Sequence, residues 1–198
     1  MSKKANTTYN IHPLLNERWS PRAFENKEIE SKKLQRIFEA ARWSPSASNE
    51  QPWYFIIGQN NNSTHQKIFE TLVEFNKLWT KFAPVLVISI GKSLTSKNEP
   101  NSSFKYDVGQ SVAHLTFQAA SEGLYVHQMT GFDPAKATEL LEIPESFVAL
   151  SAIAIGYLGD PSMLHPRMQK AELAERERKN LNKFVFEEKF GQQSDLVK

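Results

Sequence analysis

Two short stretches carry side chains whose types and spacing could do chemistry. The first is Arg18-Trp19-Ser20-Pro21-Arg22. Pro21 argues against a helix and favours extended backbone, in which residues i, i+2 and i+4 point the same way. Arg18, Ser20 and Arg22 then present two guanidinium forks and a hydroxyl on one side. Such a set suits phosphate oxygens or the polar edge of a heterocycle. Taken alone, the pentapeptide also fits two solvated surface arginines. The second stretch runs from Ser44 to Trp53. Ser46, Ala47 and Ser48 are small enough to let the backbone approach a flat ligand, and Asn49 and Gln51 add amides that both donate and accept. Pro45 and Pro52 fix its two corners. These ten residues, too, suit an ordinary helix-to-strand loop.

Hydrophobic periodicity supplies the elements that must position them. Leu34, Ile37, Phe38 and Ala41 recur at helical spacing, so the 44–53 stretch lies between a helix over 31–43 and a strand over 53–58. Residues 11–17 form a short helix ahead of Arg18. Gln59–Asn62 is a polar turn, and Ser63-Thr64-His65-Gln66 has the capping-box pattern of a helix start. Phe69, Leu72 and Phe75 continue that helix, and His65 in its first turn is expected at the surface. Asn76 and Trp79 follow, then Ala83-Pro84 and a buried strand over 85–90. Residues 91–103 are loop-like and long enough for a lid or binding loop. The main core helix spans 104–122, with Val108, Val112, Leu115, Ala119 and Ala120 on its stripe and Gly123 at C′. Gly109, Ser111 and Ala113 would admit a second helix closely, one that could belong to a partner chain. A short strand over 124–127 leads to the turn Gln128–Pro134, where Asp133 caps a helix reaching about Leu141. Ala149–Tyr157 is apolar on both faces and therefore central in a sheet. The charged segment 165–179 precedes an apolar tail with Phe184, Val185, Phe186 and Phe190, which must pack on its own domain or on a second subunit.

Composition bounds the function. A chain of 198 residues suits one domain with a proper core. Its 24 Lys+Arg against 22 Asp+Glu leave a net charge of +2, which does not point to nucleic acid. With no cysteine there is no disulfide, thiolate metal site or cysteine nucleophile. No long apolar run suggests a signal peptide or membrane span, and a cytoplasmic setting is expected.

Taken together, Arg18-x-Ser20-x-Arg22, Pro45-Ser46-Ala47-x-Asn49-x-Gln51-Pro52-Trp53, Asn76-x-x-Trp79 ahead of Ala83-Pro84, the turn at Gly131-Phe132-Asp133 and the late Arg176-x-Arg178 resemble the nitroreductase family. The resemblance covers nearly the whole chain, more loosely towards its C-terminus. It implies an α+β fold over residues 1–198 as one domain: a mixed, mainly antiparallel sheet flanked by helices, in a homodimer that exchanges its C-terminal tail. It implies tightly but non-covalently bound FMN, with NAD(P)H as electron donor and a small flat molecule as acceptor. Arg18 and Ser20, joined by Arg176 and Arg178, would meet the FMN phosphate, and Arg22 the pyrimidine edge of the ring. Pro45, Ser46, Ala47 and Asn49 would cover the ring from the other subunit. Asn76 would contact the ring edge, the backbone at Thr130 and Gly131 would offer an N–H to flavin N5, and Trp19 and Gln128 complete the cofactor set.

No catalytic acid or base and no metal is expected, since the flavin carries the redox chemistry. Glu50, Phe104 and Tyr106 are the residues expected to meet substrate. Glu50 departs from the family pattern, and residues 91–103 carry none that transfers. The implied activity is reduction of nitroaromatics, quinones or similar acceptors in a ping-pong cycle. Dehalogenation or flavin fragmentation on the same fold, and a non-catalytic flavin-binding protein, are the alternatives.

Overall fold

The structure is a computed structural model that describes residues 3–60 and 62–197. Met1, Ser2 and Lys198, and Asn61 of the expected turn, lie outside the described residues. Four strands form one sheet in the order β1-β2-β4-β3, with β1 at Trp53–Gln59, β2 at Val85–Lys92, β3 at Tyr125–Met129 and β4 at Phe147–Gly156. The two inner strands are the most apolar, as burial on both faces requires. All three pairings are antiparallel, so among the described residues the sheet has no parallel member of the kind a mixed sheet would show. A bulge between Ser89 and Ile90 shifts the β2–β4 register, and beside it the Ser89 and Ser151 hydroxyls share a 2.7 Å hydrogen bond.

Alternation along β2 and β4 divides the core in two. Val85, Val87, Ile153 and Ile155 face α2 (Ser31–Arg42) and α5 (Phe104–Ser121), where Leu34, Ile37, Ala41, Val108, Val112 and Leu115 meet them. Leu86, Ile88, Ala152 and Ala154 face the other layer, which holds Ile68 of α3 (Ser63–Thr71), Trp79 of α4 (Glu74–Thr80) and Ala137 of α6 (Pro134–Leu140). The short α1 (Pro13–Glu17) precedes the first arginine, and α7 (Pro166–Leu173) follows the last strand. Asp133 caps α6 through Ala135 and Lys136 N–H, with Pro134 in its first turn. Gly123 takes the left-handed conformation (φ 75°) after α5.

Several expectations are corrected. Asn62, not Ser63, caps α3, its side chain accepting from His65 N–H at 2.7 Å. The expected helix through Phe75 is two helices. Leu72 and Val73 are extended, Leu72 bridges Phe132, and Val73 N–H donates to Gly131 O. The break takes backbone out of the helix to hold the 131–132 turn. His65 is buried, not superficial, and its Nε2 lies 3.0 Å from Ala83 O. Gly58 admits this approach, since a Cβ there would meet His65 backbone at 2.3 Å. Gly91 and Lys92 belong to β2, and Gln128 and Met129 to β3, rather than to loop and turn. The helix that the small residues of α5 admit includes α2 of the same chain: Ser111 Oγ donates to Ala41 O at 3.1 Å. The tail bridges Phe186 to Gln193 and leaves Phe190 94% exposed.

Candidate functional site

Segment 18–25 is stitched to residues 157–159, just past the end of the inner strand β4. Phe24 bridges Leu158, Glu25 N–H donates to Tyr157 O, and Gly159 N–H donates to Ala23 O. Gly159 permits this contact, because a Cβ there would sit 2.5 Å from the Phe24 carbonyl carbon. The extended run brings Arg18, Trp19, Ser20 and Arg22 to one cavity of about 250 Å³, which Lys3, Glu172, Arg176 and Arg178 also line. Residues far apart in the chain thus line one cavity.

Among the described residues, cations outnumber carboxylates by five to three on the cavity's lining, with Lys3, Arg18, Arg22, Arg176 and Arg178 against Glu172, Glu175 and Glu177. Arg18 Nη2 donates to Ser20 Oγ at 3.2 Å, but buried Nε atoms of Arg18 and Arg22 make no hydrogen bond among the described residues. Burial, then the charges of Arg176 and Arg178, push the Arg18 guanidinium below its ordinary range. Burial and Arg178 do the same to Arg176. Cations crowded and desolvated in this way are stabilised by an anion that accepts from several of them. A phosphate dianion has the charge and the acceptor count, so the donor set fits the phosphate end of FMN. Arg176 is partly engaged elsewhere, its Nη1 donating to Lys3 O (2.9 Å) and Asn16 O (2.7 Å), so it also ties the N-terminal segment to the cavity. Arg178 Nη1 donates to Glu177 O.

Two residues of this site carry no signal in the sequence. Glu172 Oε1 accepts from Arg22 N–H at 2.7 Å and Ala23 N–H at 3.0 Å. In the chain it is one acid in a charged run with Glu175 and Glu177. His127 of β3 packs on Trp79 with ring centroids 4.6 Å apart, and its Nδ1 donates to Pro21 O at 2.8 Å as the neutral ring. It therefore fixes the bend between Ser20 and Arg22. Burial, reinforced by Arg22, lowers its pKa from 6.5 to about 4. The folded chain then refuses a proton that the unfolded chain accepts below pH 6.5. Stability is complete above pH 6.5 and falls as the pH drops towards 4, by at most about 3 kcal/mol from this ring. Urea midpoints at pH 7 and pH 4.5 are expected to show the loss, and His127→Gln is expected to flatten it. An equal pH slope in both proteins would remove His127 from this role.

Beyond β3 lies a second cluster. Asn76 is buried and donates from Nδ2 to Gly131 O at 2.9 Å. Gly131 is required there, since a Cβ would lie 2.6 Å from that nitrogen. The same carbonyl accepts from Val73, while the Gly131 N–H has no acceptor among the described residues. Thr130 is exposed, and Gln128 Nε2 donates to Thr116 Oγ1 at 3.2 Å. Trp79 links the clusters. It stands one turn after Asn76 and stacks on Phe24 as well as His127.

The Pro45–Gln51 loop stands apart, and none of its residues lines the arginine cavity. Ser48, Asn49 and Gln51 all take positive φ (51°, 55° and 47°), a concentration of backbone strain. Ser46 Oγ accepts from Gln51 N–H, and Ala47 N–H donates to buried Asp107 Oδ2 at 3.2 Å. Glu50 is tied to the following loop, accepting from Ser96 N–H (2.7 Å) and Ser96 Oγ (3.0 Å). Residues 93–103 are organised around that tie, with Leu94 bridging Pro100. Phe104 packs over Gly91, whereas Tyr106 is 73% exposed. Among the described residues no His, Asp or Glu group could hold a metal ion, and no helix is long and apolar enough to cross a membrane.

An antiparallel sheet flanked by helices, with an arginine cavity built on the segment that pairs past the end of β4, defines an α+β class of protein. The Nitroreductase family model matches residues 15–81. A crystal structure described as an oxidoreductase containing FMN superposes with a TM-score of 0.91 and 32% identity, covering 98% of this chain and 99% of that one. A relative from Stenotrophomonas maltophilia (strain K279a), carrying a provisional NADH dehydrogenase/NAD(P)H nitroreductase name, is 29% identical over 176 residues, 79% of this chain and 88% of its own. An oxygen-insensitive NADPH nitroreductase of Helicobacter pylori (strain J99 / ATCC 700824) is 38% identical over 76 residues, 38% of this chain and 35% of its own. The chain belongs to the nitroreductase family.

Proposed function

We propose that this chain is an FMN-dependent NAD(P)H oxidoreductase that reduces flat acceptors such as nitroaromatics and quinones in a ping-pong cycle. The observation that carries the reading is one cavity lined by Arg18, Arg22, Arg176 and Arg178, in which Arg18 and Arg176 are desolvated and crowded. The FMN named for one relative and the NAD(P)H nitroreductase names of others support it. Arg18, Ser20, Arg176 and Arg178 hold the phosphate, and Trp19 walls the cavity. Arg22 lies towards the ring, where its positive charge favours the electron-rich reduced state. Asn76 and Gln128 meet the ring edge, and Gly131, next to Thr130, offers its unused N–H. Bound FMN supplies the two-electron redox chemistry, and the chain's residues bind, orient and shield it. The whole chain acts as one domain.

Pro45, Ser46, Ala47 and Asn49 serve the site of a second copy, which accounts for their distance from the arginines of their own chain. The protein is accordingly a homodimer with an exchanged tail, and Phe190 is covered by the partner. Light scattering is expected to give twice the 22.6 kDa chain mass, and a monomer mass at micromolar concentration would overturn this arrangement. Tyr106, with the loop held by Glu50, selects the acceptor. Tyr106→Ala is expected to change the ratio of quinone to nitroaromatic kcat/KM severalfold at constant FMN content. An unchanged ratio would place selection elsewhere.

The purified protein is expected to be yellow and to bleach when NADH or NADPH is added anaerobically. A protein that takes up no FMN would overturn the function, and a yellow protein that neither nucleotide bleaches would favour a non-catalytic flavin binder.

A further inference from the structure

A cavity for a phosphate could be purely cationic, yet Glu172, Glu175 and Glu177 also line this one, and of the three Glu172 alone is buried. Glu172 is 1% exposed and belongs to the last turn of α7. Oε1 is occupied by the N–H groups of Arg22 and Ala23, a bidentate hold on the backbone that carries the arginine. Oε2 makes no hydrogen bond among the described residues and stands 3.8 Å from Arg22 Nη1. That distance is too long for a hydrogen bond and short enough for Coulomb attraction between a buried carboxylate and a partly exposed guanidinium. Lys3 Nζ closes the other side, donating to Glu172 O at 2.6 Å. The backbone hold alone would need only a neutral acceptor, so the negative charge itself calls for an explanation.

We propose that Glu172 is a positioning residue and an electrostatic counterweight: it fixes the Arg22 backbone while cancelling part of the cavity's positive charge, holding affinity for a phosphorylated ligand below what the arginines alone would give. The inference rests on the flavin reading above. It separates two functions that a single carboxylate combines, and the two respond oppositely to substitution. Loss of the backbone hold loosens the site and weakens every ligand. Loss of the charge tightens a dianion far more than a neutral ligand.

The test compares FMN with riboflavin, which lacks the phosphate, by fluorescence titration of the full-length protein. Glu172→Gln keeps an oxygen for the two N–H groups and removes the charge. The ratio of riboflavin Kd to FMN Kd is expected to rise about tenfold, with riboflavin Kd within about twofold of wild type. Inorganic phosphate, titrated calorimetrically without any flavin, is expected to bind more tightly to the same variant. Should Glu172→Gln not fold, Glu172→Asp draws the charge back by one methylene, and a two- to threefold rise in the same ratio is expected. A ratio that is unchanged or lower in the folded variant overturns the counterweight, even where wild type binds FMN. A wild-type protein that binds neither flavin overturns the flavin reading and this inference with it.

Discussion

Arg18→Ala is expected to weaken FMN binding about tenfold to a hundredfold. The guanidinium lines the cavity, keeps a buried Nε without a partner, and is depressed by burial and by two neighbouring arginines. A phosphate contact from such a group is charge-assisted and contributes about 1.5–3 kcal/mol. Relief of the crowding offsets little of this, because Arg176 already spends one nitrogen on two carbonyl groups. Riboflavin binding is expected to change far less. Arg18→Lys retains the charge without the planar fork and is expected to fall between the two. Fluorescence titration reads all three proteins. If Arg18→Ala bound FMN as tightly as wild type, the cavity would not be the phosphate site.

The second large effect is on stability. Trp79 is 0% exposed and lies between the Phe24 ring at 6.0 Å and the His127 ring at 4.6 Å. Trp79→Ala removes the largest fully buried side chain and leaves a cavity under the sheet edge, at a cost of about 3–5 kcal/mol. For a chain of this size that is a fall in Tm of about 10 °C or more. Trp79→Phe is expected to recover roughly half, since its indole Nε1 has no hydrogen-bond partner to lose among the described residues. FMN retention is expected to fall with stability, because the same ring packs on Phe24 and on His127, whose Nδ1 holds Pro21 O. A thermal melt of Trp79→Ala within 3 °C of wild type would show that the helix and bend are held otherwise.

The local half of this architecture was legible in the sequence, and the non-local half was not. Leu34, Ile37 and Ala41 mark α2 because helical periodicity is a property of neighbours, and Pro21 marks the extended run that aligns Arg18 with Arg22. The apolar run in β4 identified an inner strand for the same reason. By contrast, the break at Leu72–Val73 is made by hydrogen bonds to residues 131 and 132, which no local pattern encodes. His65 reads as a surface residue in a first turn, and only Gly58 on the adjoining strand makes room to bury it. Glu172 and His127 escape notice because each acts through the backbone of a distant segment: Glu172 through Arg22 and Ala23, His127 through Pro21. The Pro45–Gln51 loop shows its turn chemistry in sequence, but its strain at residues 48, 49 and 51 is visible only in the dihedrals.

The arginine cavity is walled by residue 3, by residues 18–22 and by residues 172–178. During synthesis on a ribosome, the sheet and both helical layers can therefore be complete while the cavity still lacks one side. Arg176 and Arg178 must leave the exit tunnel before the first arginines of the chain acquire their neighbours. On the reading that this cavity holds the FMN phosphate, the cofactor site is completed only after the segment with Arg176 and Arg178 has emerged. On the same reading, a message truncated before the codon for Arg176 is expected to yield a chain with all four strands and weakened FMN retention.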